Sequence, residues 1–179
     1  MNQWVNSALS QFSNESMNQF SLRLATTDDE PFLYLLYCST RRDEMSAWGW
    51  DAEQQETFLR MQFRAQQYHY QTQSGDVSHN LILSGDEPIG RIIVMRSDQE
   101  ICLGDIALLP EHRGHGIGTA LIADLFAEAK KTGKPVTLHV EKTNPAAGLY
   151  SRLGFRVTGD TGSHLKMEWR TKYDEGITR

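Results

Sequence analysis

The sequence predicts a mixed α+β domain whose sheet is mainly antiparallel. Three apolar-rich runs follow one another at about 80–84, 88–95 and 100–109, joined by Ser84-Gly-Asp-Glu and Ser97-Asp-Gln-Glu. Connections this short demand antiparallel hairpins. After the third run come a glycine-rich turn, a helix with one apolar face and a further strand. A meander that leads into strand–helix–strand is not the repeated series of a dinucleotide-binding fold. At 179 residues the chain is long enough for one domain with a substantial core.

Residues 1–19 are rich in Ser, Asn and Gln, yet Trp4, Val5, Ala8, Leu9 and Phe12 recur at helical spacing. They form either a short docked helix or an N-terminal arm. Phe20–Ala25 alternates as a first strand. A helix follows, with Thr27 as N-cap, Glu30 three residues on and acids in the first turn. It should run to about Arg42 and bury Phe32, Leu35, Leu36 and Ser39.

The segment 41–50 lacks clear periodicity and reads as a loop or broken helix. Asp51 caps a second helix to about Tyr70, with Phe58, Met61, Ala65 and Tyr68 on one stripe. Residues 71–78 read as a surface loop before the meander. The helix after the glycines carries Ile117, Leu121, Ile122, Leu125, Phe126 and Ala129 inward, and Lys130 and Lys131 sit at its negative end. Gly133 stops it, with Pro135 just beyond. Val136–Val140 is a strand and Pro145–Leu153 a short helix. Phe155–Thr158 and His164–Trp169 close as a hairpin. A single domain over 20–170 and a tail over 171–179 account for the chain.

Composition narrows the function. A net charge of −5 is the wrong sign for nucleic acid, which recruits basic faces. Cys38 and Cys102 cannot build a disulfide framework and read as buried thiols in a reducing compartment. No apolar run approaches the length of a membrane span, and no basic-then-apolar leader opens the sequence. Cytoplasmic placement, with neither membrane nor nucleic-acid partner, is the expectation. A homodimer is compatible with the sequence and not indicated by it.

The chemistry concentrates in Asp105-Ile-Ala-Leu-Leu-Pro-Glu-His-Arg-Gly-His-Gly-Ile-Gly-Thr119. A strand, a glycine turn and a helix start make a place to hold phosphate, because helix N-termini present unpaired N–H groups and positive potential. Arg113 at the mouth of the turn can add charge-assisted bonds. The nucleotide-binding P-loop pattern fails, since no Lys follows the last glycine. The dinucleotide fingerprint fails at Thr119, where its last glycine should stand, although Glu141 imitates the ribose-binding acid. What fits without a gap is R-x-x-G-x-G, as Arg113, Gly116 and Gly118.

That loop resembles the acyl-CoA pyrophosphate loop of the GNAT acetyltransferase superfamily. Asn144-Pro-Ala-Ala-Gly-Leu-Tyr-Ser-Arg-Leu-Gly-Phe155 is similar to the family's N-P-A-x-x-L-Y-x-x-x-G-F segment. Both blocks stand in the family's order. The resemblance is tight over Leu103–Phe155, extends as a topology over Phe20–Trp169, and is absent before that.

The resemblance implies a mixed, mainly antiparallel sheet, splayed in the middle, with helices on both faces. It implies acetyl-CoA as co-substrate and transfer to a primary amine by direct attack in a ternary complex. The acceptor is a small-molecule or peptide amine. For the cofactor it implies Ala107, Leu108 and Leu109 beside the pantetheine arm. Arg113, Gly114, His115, Gly116, Ile117, Gly118 and Thr119 fall around the pyrophosphate, and Asn144, Ala146, Ala147 and Tyr150 beyond it.

It also implies Tyr150 as the acid that protonates the departing sulfur, the alternative being a core tyrosine beside Leu149 and Leu153. Asn144 contacts the arm or an ordered water, and also suits an N-cap ahead of Pro145. Asp105 is the candidate base, on the face of Leu103 and Ala107 by alternation. A carboxylate satisfied by a neighbouring backbone or Arg is the plainer reading, and Glu141 or a water chain are rival bases.

Asp43, Glu44, Trp48 and Trp50 are an acidic, aromatic segment where the family builds its acceptor site, and indoles with carboxylates suit an ammonium group. Neither the six histidines nor any other cluster shows metal-ligand spacing, so no metal is expected. Ser and Cys offer no nucleophile–base motif. Two other classes compete: a non-catalytic acyl-CoA-binding sensor or interaction module of the same fold, and a nucleotide-dependent oxidoreductase using Glu141.

Overall fold

The computed structural model describes residues 20–46, 49–72 and 76–171, with the backbone alone at 42–46 and 71. Among them are seven strands and four α-helices. In chain order these are β1 (Ser21–Leu24), α1 (Glu30–Ser46), α2 (Ala52–Gln71), β2 (Asp76–Ser84), β3 (Glu87–Arg96) and β4 (Ile101–Leu108). There follow α3 (Ile117–Thr132), β5 (Val136–Glu141), α4 (Ala146–Arg152), β6 (Arg156–Asp160) and β7 (His164–Trp169). The strands join in the order β1-β2-β3-β4-β5-β7-β6. β1 and β2 pair antiparallel, as do β5 with β7 and β6 with β7, whereas β4 and β5 are parallel. The mixed, mainly antiparallel expectation holds.

The described chain divides into two compact units, one of residues 20–93 with Asp105–His115, the other of Val94–Gly104 with residues 116–171. β3 and β4 each run from one into the other. In the first unit, Leu33 and Tyr37 of α1, Phe63 of α2 and Leu81 of β2 form a buried cluster, with Phe32, Tyr34, Leu59 and Leu83 packed against it. Tyr34 meets the Phe63 ring edge-on at 5.4 Å between centroids. In the second unit, α3 buries Ile117, Leu121, Ile122, Leu125, Phe126 and Ala129, the six positions its periodicity predicts. Phe126 stacks on Trp169 of β7 at 4.1 Å.

Several local expectations are corrected. The first helix starts one residue earlier than its predicted cap: Thr26, not Thr27, opens a 3-10 turn over Thr27–Asp29, and its N–H donates to Asp29 Oδ2 at 2.7 Å. α1 then buries Leu33, Leu36 and Tyr37, while Leu35 is 55% exposed. Apolar residues at every position from Phe32 to Tyr37 blur the phase. α1 continues to Ser46 rather than ending near Arg42, since nothing before Gly49 breaks a helix.

α2 is capped by Asp51 as predicted, with Gln54 returning the bond: Gln54 N–H donates to Asp51 Oδ1 at 2.8 Å and Asp51 N–H to Gln54 Oε1 at 3.1 Å. Its inward stripe is Leu59, Phe63, Gln66 and Tyr70, and Met61, Ala65 and Tyr68 face solvent. A polar Gln66 inside that stripe hid the phase. β2 begins at Asp76 inside the expected loop, held by β1 through Leu24↔Asn80 and by Ala25 N–H donating to His79 O. Cys38 and Cys102 are free and half-buried rather than buried. Residues 1–19, Trp48 and 172–179 lie outside the described residues.

Candidate active site

In the first unit, β4 arrives at a loop built for tight approach. Leu109 N–H donates to Ile89 O at 2.9 Å, which extends the β3–β4 ladder past the end of the strand. Gly90 lies under this end of β4: a Cβ there would sit 2.4 Å from Ala107 O and 2.7 Å from Leu108 Cδ2. Pro110–His112 then makes a single 3-10 turn. Arg113 Nε donates to Leu108 O at 2.8 Å. Its two Nη groups have no hydrogen-bond partner among the described residues.

Gly114 and Gly116 have φ of +78° and +82°, the left-handed region where a Cβ is penalised. At Gly114 a Cβ would meet nothing within 4 Å, so conformation and not space demands the glycine. In the second unit, Gly116 is the N-cap of α3 and no side chain caps the helix. The first bond of the helix is Ala120 N–H to Gly116 O. Ile117, Gly118 and Thr119 precede it, so their N–H groups have no i−4 carbonyl. His115 is exposed and His112 half-exposed at the loop.

β5 pairs with β4 over Ile101↔Val136, Cys102↔Thr137 and Leu103↔Leu138. After β5, Asn144 Oδ1 accepts from Ala146 N–H at 2.9 Å and Asn144 O from Ala147 N–H, so Asn144 opens α4 as an N-cap does. Tyr150 of α4 is 7% exposed, and its ring stands edge-on to Phe155 at 5.7 Å. Glu141 is half-exposed, with Oε1 3.8 Å from His164 Nε2.

Asp105 is not alone on β4. Its Oδ2 accepts from Arg91 Nε at 2.6 Å, and Arg91 Nη2 donates to Gln66 Oε1 at 2.7 Å. Arg91 is 3% exposed against 25% for Asp105. A neighbouring Arg thus meets one oxygen of this carboxylate. His79 of β2 shares the α1–α2 face with Leu81 by alternation. Burial pushes its imidazole below the ordinary value, and nearby Arg91 pushes the same way. Neither Arg91 nor Gln66 stands out in the sequence as a site residue, because one lies in an apolar strand run and the other on a helix. A charge inside Ile89-Gly-Arg-Ile-Ile-Val94 was the available signal.

Of the expected acceptor residues, Asp43 and Glu44 fall in the last turns of α1 and Trp48 lies outside the described residues. Trp50 stands edge-on to Phe58 at 5.2 Å. It lines a pocket of about 560 Å³ with Asp51, Glu53, Gln54, Thr57, Phe58 and Met61. The solvent-facing α2 residues that looked like a core stripe therefore include part of a pocket wall. Among the described residues no group of His, Cys, Asp and Glu is arranged to hold a metal ion, and no helix is long and apolar enough to cross a membrane.

A family model described as the acetyltransferase (GNAT) family matches residues 31–155. A ribosomal protein bS18-alanine N-acetyltransferase from Haemophilus influenzae is 32% identical over 75 residues, 41% of this chain and 51% of that protein. The chain thus spans about half the length of the curated relative it matches. Among solved structures, the PaiA N-acetyltransferase of Thermoplasma acidophilum in complex with coenzyme A aligns over 85% of this chain and 99% of its own, with a TM-score of 0.64 and 20% identity. The ribosomal-protein-S18-alanine N-acetyltransferase of Escherichia coli aligns over 84% and 93%, with a TM-score of 0.57 and 21% identity. At these identities the structural likeness speaks for the fold.

Proposed function

Because the chain belongs to the acetyltransferase (GNAT) family, we propose that it transfers the acetyl group of acetyl-CoA directly to a primary amine, with residues 20–170 acting as one domain. The observation that carries this reading is the glycine loop. Two left-handed glycines lead into a helix without a side-chain cap, beside an arginine whose Nη groups have no partner among the described residues. Such a loop suits the pyrophosphate of coenzyme A, which its N–H groups and Arg113 would bind.

The residues divide by task. Leu109 N–H faces β3, so by alternation Leu108 N–H faces the other edge of β4, where a pantetheine amide can accept from it. Asn144, Ala146 and Ala147 at the start of α4 would serve as further cofactor contacts. Tyr150, its ring edge-on to Phe155, supplies the proton that the thiolate takes on leaving. The amine must be neutral to attack: a lysine-type ammonium has a reference pKa of about 10.4 and a peptide α-ammonium of about 7.7–8.0, and Asp105 receives the proton, directly or through water. Holding the amine in line with the thioester supplies the remainder of the rate.

The acceptor enters by the acidic, aromatic region of Asp43, Glu44, Trp48 and Trp50. The name of the Haemophilus relative, a ribosomal protein alanine acetyltransferase, favours a peptide α-amine, and a small amine remains the competing substrate. The test is thiol release from acetyl-CoA with a panel of amines: peptides with different N-termini, lysine peptides, polyamines and small amines. Turnover on one class, with kcat for Tyr150→Phe reduced at least about 100-fold, supports enzyme and acid together. Tight coenzyme A binding with no turnover on any amine would instead make the chain an acyl-CoA sensor.

A further inference from the structure

Arg91 is a poor choice if its purpose is only to hold the sheet together. It is 3% exposed, and it meets Asp105 through Nε alone. Its Nη1 is buried without a hydrogen-bond partner among the described residues. Burying a charge is repaid only when geometry is good and every donor is satisfied, and apolar replacements of such pairs often fold as well or better. What this arrangement does secure is direction. Arg91 is fixed at two points, Asp105 Oδ2 and Gln66 Oε1, the second on α2. Asp105 itself keeps a quarter of its side chain exposed, and its Oδ1 accepts no hydrogen bond among the described residues.

We propose that Arg91 is a positioning residue: anchored by Gln66, it grips Oδ2 of Asp105 and so presents Oδ1 as the atom that takes the acceptor's proton. The proposal rests on the reading of Asp105 as the base. The ammonium N–H bond breaks and its electron pair stays on nitrogen for attack on the thioester carbonyl. The proton bonds to Oδ1 and later returns to solvent, while Arg91 stays protonated throughout, its guanidinium being too basic to exchange. Gln66 and Arg91 touch no substrate and act through Asp105 alone.

The experiment is a mutant cycle read by kcat, by KM for acetyl-CoA and by melting temperature, on wild type, Arg91→Lys, Asp105→Asn and the double variant. Arg91→Lys keeps the charge and loses the two-point fork. Its kcat is expected to fall about 10–100-fold, as misplacement of a catalytic group by a fraction of an ångström does. KM for acetyl-CoA should stay within about twofold, since the cofactor loop is untouched.

Adding Arg91→Lys to Asp105→Asn should cost nothing more, because no base remains to be positioned. A double variant whose loss is the product of the two single losses would overturn the positioning role while leaving Asp105 as base. Undiminished turnover in Asp105→Asn would remove the base and the positioning role together. Should Arg91→Lys fail to fold, Gln66→Leu on α2 repeats the cycle, with an expected kcat loss of about 3–10-fold that vanishes in the Asp105→Asn background.

Discussion

Arg113 is folded back onto the strand that precedes it, its Nε donating to the carbonyl oxygen of Leu108 at 2.8 Å. The bond spans five residues and closes the loop between the end of β4 and the first loop glycine. One edge of the guanidinium is spent on the backbone and the other is presented outward from an exposed side chain. That is the orientation in which a fork of N–H donors meets a phosphate. Arg113→Ala should weaken acetyl-CoA binding about 10–100-fold, the equivalent of one hydrogen bond to a charged group at roughly 1.5–3 kcal/mol. Titration calorimetry with coenzyme A measures it, and an unchanged Kd would take the arginine out of the cofactor site.

Gly90→Ala tests how closely β3 and β4 approach. The new Cβ would meet a backbone oxygen, Ala107 O, at 2.4 Å, and no side-chain rotation relieves that contact. The strands must part, at a cost of about 1–3 kcal/mol or more. In a chain of this size each kcal/mol lowers Tm by about 2–4 °C. The displaced residues are Ala107 and Leu108, so KM for acetyl-CoA should rise with the fall in Tm. Gly148→Ala is the comparison: its Cβ would meet only Arg152 Nη1 at 3.5 Å, and alanine favours the helix. Equal Tm for wild type and Gly90→Ala would mean that the strands already have room.

How far these positions could be read in advance depended on whether a residue followed the rule for its element. Asp51, Gly133 and the α3 stripe from Ile117 to Ala129 did, and they sit where periodicity and capping put them. Gly114 and Gly116 were legible as turn positions because the left-handed conformation leaves glycines in the chain. Gln66 and Arg91 break their local patterns, a polar residue inside a helix stripe and a charge inside a strand. Only the fold makes them partners across 25 residues. The same interaction explains why the sequence pattern and the structure differ in the phase of α2: Phe58, Met61 and Ala65 make a cleaner apolar series than the inward one, which contains Gln66.

Acid sensitivity should begin at His79. Burial and the neighbouring Arg91 lower its pKa, against a smaller opposite pull from Asp105 and Asp29. The unfolded chain then binds this proton more readily than the folded one, so stability rises with pH through the window. The contribution is complete above about pH 6.5, the unfolded value, and is lost as pH falls through the folded one. Glu128 and Asp160, held low by Arg96 and Lys142, give the same sign but titrate in the more acidic carboxylate range. Thermal melts between pH 7.5 and about 5.5 should therefore show a falling Tm that His79→Gln flattens. A variant that loses Tm in parallel with wild type would assign that slope to other groups.

Acceptor recognition is expected to depend on Trp50. Its ring is held edge-on by Phe58, 5.2 Å away and at 81°, on the wall of a pocket that also takes in Asp51 and Glu53. An aromatic face beside carboxylates attracts an ammonium group, and the aromatic part is worth about 0.5–2 kcal/mol. Trp50→Ala should therefore raise KM for the amine about 2–30-fold, with KM for acetyl-CoA unchanged, because the ring contributes to binding and not to chemistry. Trp50→Phe keeps an aromatic face and should recover part of the loss. Asp51 is unsuited to the same experiment, since its carboxylate caps α2 and its removal would mix binding with stability. If both variants leave the amine KM unaltered, the acceptor does not touch this wall, and the aromatic pair serves only to pack the start of α2.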